Sequence, residues 1–66
     1  MIIKDFSEFE LDYFRKYCHF VGDERTLFEL RSDGVPLEQI AEMLNRSYDG
    51  TKKLSRKVNK KIIKVL

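Results

Sequence analysis

The chain reads as an all-α domain of four helices, a helical hairpin followed by a second pair of helices joined by a tight turn. Three observations predict this. Apolar residues recur at three- and four-residue steps in four segments, glycine, proline or asparagine stands between the segments, and no segment alternates apolar and polar residues as a half-buried strand does. With 66 residues, the chain supports one domain, residues 1–66. A chain of this size buries only about 60% of the surface it exposes when unfolded.

Leu11, Phe14, Cys18 and Val21, flanked by Phe6 and Tyr17, lie on one helical face and predict a first helix over Glu8 to His19. Ser7 is placed to cap it, with the Glu10 carboxylate reaching back to the cap. Gly22 and Asp23 interrupt the pattern. Asp23 is expected to cap a second helix that carries Glu24 in its first turn and ends at Ser32, with Leu27, Phe28 and Leu30 facing inward. Gly34 comes next, where a chain leaving a helix takes a left-handed conformation. These two helices are expected to pair antiparallel.

Pro36 has no amide hydrogen and a preset φ, so it opens the third helix, which runs to Leu44. Leu37, Ile40, Ala41 and Leu44 form its inner face and Glu38, Gln39 and Glu42 its outer one. Asn45 to Ser47 reads as a tight turn, Asn45 tolerating positive φ and Ser47 capping the next helix. That fourth helix starts at Tyr48 and carries a continuous stripe of Thr51, Leu54, Val58, Ile62 and Val65.

A net charge of +2 conceals a division along the chain. Residues 1–33 hold eight acids against five bases, whereas residues 34–66 hold eight bases against three acids, none of them after Asp49. The lone Cys18 points to a reducing compartment and makes the cytoplasm the expected location. The sequence shows neither the apolar core of a signal peptide nor a run near the roughly 20 apolar residues of a membrane span.

A two-turn helix, a short turn and a longer basic helix compose a helix-turn-helix, here at about residues 36–60, in which the first helix braces the second against the major groove of DNA. The small Ala41 in the bracing helix permits a close crossing, with Ile40 and Leu44 filling the space beside it. Opposite the apolar stripe, the fourth helix presents Asp49, Lys52, Lys53, Arg56, Lys57 and Lys60. Side chains near the start of a recognition helix reach base edges, so Tyr48, Asp49, Lys52, Lys53 and Arg56 are the candidates for reading double-stranded DNA. Lys57, Lys60, Lys61 and Lys64 lie farther along and are expected at phosphates, as is Ser47 with the first amides of the helix.

The segment GVPLEQIAEMLNRSYDGTKKLSRKV resembles the helix-turn-helix shared by region 4 of sigma-70 factors and LuxR-type regulators, through Gly34, Val35, Glu38, Ile40, Ala41, Leu44 and Ser47. The resemblance covers about 35 residues counting the second helix, and is nearest to small stand-alone proteins carried by prophages and mobile elements of Gram-positive bacteria. It implies DNA binding and transcriptional control. Pro36, Asn45-Arg46 and Gly50-Thr51 depart from the family pattern. Because sigma region 4 also grips RNA polymerase, the resemblance implies an alternative in which the chain binds polymerase or a sigma factor without reading DNA.

Cys18 and His19 point about 100° apart on a helix and have no third ligand, so no metal site or cofactor is expected. No nucleophile and base stand in a pattern that suggests catalysis, so no enzyme is expected. Tyr13, Tyr17, Phe14 and Phe20 are read as core or interface residues. Ile62, Ile63, Val65 and Leu66 leave an apolar cluster at the end of the fourth helix, and Ile62, Ile63 and Leu66 mark a candidate homodimer contact, since LuxR-type domains pair through their last helix.

Overall fold

The computed structural model describes residues 2–66 and is all-helical across them. A 3-10 turn at Ile3–Asp5 precedes α1 (Glu8–Tyr17), α2 (Asp23–Ser32), α3 (Leu37–Met43) and α4 (Tyr48–Val65). As expected, Ser7 and Glu10 form a reciprocal cap: the Ser7 hydroxyl accepts the Glu10 amide at 3.2 Å and the Glu10 carboxylate accepts the Ser7 amide at 2.9 Å.

α1 ends at Tyr17, two residues before His19, because the aromatic core needs the next segment extended. Cys18 leaves the helix with ψ 130° and the chain turns Phe20 inward, where its ring stacks on Phe28 with centroids 4.7 Å apart. This corrects the expectation for Val21, which is 65% exposed while Phe20 is buried. Phe14 bridges the remaining rings, edge-on to Phe6 at 4.9 Å and to Phe28 at 6.5 Å.

The start of α2 also differs from expectation. Asp23 is the first helical residue and makes no cap; Gly22 precedes it with φ 53° and ψ −123°, the first corner of a type II′ turn closed by the Glu24 amide on the Val21 carbonyl. The start of α2 has no side-chain cap; the Glu24 carboxylate instead reaches back out of the helix to accept the Val21 amide at 3.1 Å. The end of α2 agrees with expectation. The Val35 amide reaches the Leu30 carbonyl and the Gly34 amide the Arg31 carbonyl, the Schellman arrangement, with Gly34 at φ 86°.

The turn after α3 repeats this device. Arg46 bonds back to Ala41, Asn45 bonds back to Glu42, and Asn45 holds φ 56°. Pro36 is the residue before α3 and not its first turn. Ile40 and Ala41 are buried against α4, as the close-crossing argument requires, and Leu37 and Leu44 pack beside them half-buried.

α4 is the axis of the domain. Its Thr51, Leu54, Val58 and Ile62 are buried and Val65 half-buried, the stripe that the sequence spacing predicts. Helices α2 and α3 lie closest to it. α1 joins α2 through side chains: Arg15 forms a two-point ion pair with Glu29 at 2.8 and 3.0 Å. The hydrogen bonds to Glu29 raise the guanidinium pKa above its ordinary value. The 3-10 turn, too short for any periodicity to announce it, buries Ile3 and packs on α2.

Candidate nucleic-acid interface

Ser47 begins the site. Its hydroxyl accepts the Gly50 amide at 3.0 Å, and its carbonyl accepts both the Thr51 amide at 3.0 Å and the Thr51 hydroxyl at 2.9 Å. The fully buried Thr51 therefore brings no unsatisfied polar group into the core, and the first turn of α4 is held at three points. A Cβ on Gly50 would stand 3.1 Å from the Ser47 oxygen.

At 100° per residue, Lys52, Arg56, Asp49, Lys60, Lys53, Lys64 and Lys57 fall on one arc of roughly 140° opposite the buried stripe. Ser47, Tyr48, Asp49, Lys53, Arg56, Lys57 and Lys60 are exposed and Lys52 is half-exposed, its ammonium 5.1 Å from the centroid of the Tyr48 ring. Among the described residues, Lys53, Arg56, Lys57, Lys60 and Lys64 have neither an ion pair nor a hydrogen bond from their charged groups. Beside the arc run two open hollows that share Lys57. One, of about 290 Å³, is lined by Arg46, Gly50, Lys53 and Leu54, and the other, of about 460 Å³, by Glu24, Lys60, Lys61 and Lys64.

Lys61 departs from the phosphate role expected of it. Its ammonium donates to the Glu24 carboxylate and, at 2.6 Å, to the His19 carbonyl. Glu24 is buried, and the Lys61 hydrogen bond, followed by the Val21 amide, holds its carboxyl below the usual carboxylate range against the opposing effect of burial. Lys61 is thus a clamp between α4 and the α1–α2 loop. The signal lay in its helical phase, since Lys61 sits on the shoulder of the stripe beside Leu54 and Val65 whereas Lys60 points away. Arg46 is likewise engaged, bonded to Asp23 at 2.9 Å.

The candidate dimer contact also needs correction. Ile62 is 0% exposed because it completes the core stripe, so it is closed to any partner, while Ile63 and Leu66 are open to solvent. Cys18 is buried, its thiol donating to the Lys61 carbonyl at 3.5 Å, and burial pushes its pKa up. No helix among the described residues is long and apolar enough to cross a membrane. No protein-family model, curated protein or solved structure matches the chain.

Proposed function

We propose that the protein binds double-stranded DNA through α4 and regulates transcription, in keeping with the resemblance of its helix-turn-helix to those of sigma region 4 and LuxR-type regulators. The genes of a phage or mobile element are its proposed targets. One observation carries the reading: five cations on one face of an N-capped helix have no ion pair or hydrogen bond among the described residues, whereas Arg15, Arg46 and Lys61 are each held by an acid of the fold. A helix braced across a shorter one by a small residue has the form that enters the major groove. Tyr48, Asp49, Lys52, Lys53 and Arg56, nearest the start of α4, are assigned to base edges, with Arg56 and Lys53 suited to guanine. Lys57, Lys60 and Lys64 are assigned to phosphates, and Ser47 to a phosphate at the helix start.

The test is a mobility shift on genomic fragments at two salt concentrations, followed by two variants. Lys60→Ala is expected to weaken binding to every sequence and to lower the salt slope by about 1. Arg56→Ala is expected to relax sequence preference, at a cost of about 1–3 kcal/mol on the preferred site. Absence of binding at low salt overturns the proposal, and equal losses on preferred and random DNA for both variants overturn the assignment of roles.

A further inference from the structure

The outer face of α1 carries a feature that DNA binding does not use. Phe9, Tyr13 and Tyr17, at successive four-residue steps, make an exposed aromatic row, with Phe9 at 85% exposure. The Tyr13 and Tyr17 rings lie 4.7 Å apart. The Tyr13 hydroxyl donates to the Val65 carbonyl at 3.3 Å, which sets the row beside the last turn of α4, remote from Tyr48 at its first. A single shallow hollow of about 320 Å³ is lined by this row together with one acid, Asp12, and one base, Lys16.

We infer that this face binds a second copy of the chain, α1 packing antiparallel on α1 about a two-fold axis level with Tyr13. The argument is one of self-complementarity. In that register Phe9 of one copy lies against Tyr17 of the other, and the two Tyr13 rings meet at the axis. A two-fold perpendicular to both helices keeps residues of the same flank together, and Asp12 and Lys16 share a flank. Lys16 of one copy therefore comes to the partner copy's Asp12, displaced along the helix by about 3 Å, two helical rises, which a lysine spans; Asp12 accepts from Arg15 of its own chain through Oδ1 and offers Oδ2 to the lysine. The symmetric pair forms on the other side of the axis. Antiparallel helices also oppose their dipoles favourably. An anionic lipid surface fits less well, because Glu8, Glu10 and Asp12 are all exposed on this helix. The inference stands independently of DNA binding, since no residue of the α4 arc takes part.

Sedimentation of the full chain from micromolar to near-millimolar concentration tests it. Wild type is expected to shift from monomer to dimer. Phe9→Ser, which removes no buried contact, is expected to stay monomeric with an unchanged circular dichroism spectrum and melting temperature. Asp12→Lys or Lys16→Asp alone, placing like charges across the axis, is expected to weaken dimerisation about tenfold, and the double reversal to restore it. A monomer at every concentration overturns the inference. So does a dimer indifferent to Phe9→Ser or disrupted only by Ile63→Glu, or a double reversal that fails to rescue.

Discussion

The two halves of the molecule use the same kinds of charged residue to opposite ends. In the acidic half, Arg15 is held by Glu29 and Asp12, Glu24 holds Lys61, and Asp23 holds Arg46. On α4, Lys53, Arg56, Lys57, Lys60 and Lys64 face water with no such partner among the described residues. Charge count alone does not separate these cases. What separates them is where each side chain leaves its helix relative to the core, and the contrast between Lys60 and Lys61, neighbours of identical chemistry, states it most sharply. Lys61 belongs with the acidic half in function, and the open cations gathered on one helix face are Arg56 with Lys53, Lys57, Lys60 and Lys64.

The largest expected effect attacks the point where the halves are tied. Glu24→Ala removes the buried carboxylate to which the Lys61 ammonium and the Val21 amide donate, leaving Lys61 only the His19 carbonyl, and is expected to lower stability by about 2 kcal/mol in urea unfolding. The same tie has a pH signature. Because the fold depresses the Glu24 pKa, its contribution is complete above the unfolded-state value, roughly 4.3, and is lost as pH falls through the lower folded value. The stability gap between wild type and Glu24→Gln is therefore expected to narrow on acidification below about pH 4; a gap that stays constant from neutral to strongly acid pH would contradict the pairing.

A smaller effect sharpens the comparison between neighbours. Lys61→Ala is expected to cost about 1–2 kcal/mol of stability, while Lys60→Ala stays within about 0.5 kcal/mol of wild type and shows its effect only on DNA. Equal unfolding midpoints for the two variants would erase the distinction drawn between clamp and contact. The smallest effect is at the entrance of α4. Gly50→Ala trades backbone freedom for helix propensity at the expense of a slight retreat of the Ser47 hydroxyl, and is expected to raise stability by up to about 1 kcal/mol. A loss measured by thermal melting would show that Ser47 cannot yield.

Features settled within a few residues are legible in the sequence. The Ser7–Glu10 cap, the left-handed Gly34 and Asn45, the Ser47 cap and the α4 stripe each depend on spacing that the sequence displays directly. The features that escape it are decided by distant residues. Phe20 replaces Val21 in the core because Phe28 offers it a stacking face, and Lys61 meets Glu24 across 37 residues of chain. Asp23 gives up its expected cap and meets Arg46 across 23. For the candidate site, the exposed arc, the shoulder position of Lys61 and the closure of Ile62 follow from helical phase, but the acceptors that hold Lys61, Glu24 and the His19 carbonyl, come from residues distant in the chain.

The brevity of α3 bears on how the motif can be used. Its seven residues have no side-chain cap at their start, and Ile40 and Ala41 find their cover on α4. Isolated helices shorter than about 12–15 residues are marginal in water, so α3 takes its order from its neighbours. Excising residues 34–66 as a peptide, or grafting them onto a foreign scaffold, would strip the Phe28 and Leu27 surface from α4 and the Glu24 anchor from Lys61. A designer wishing to move the basic helix must carry α2 with it as its buttress.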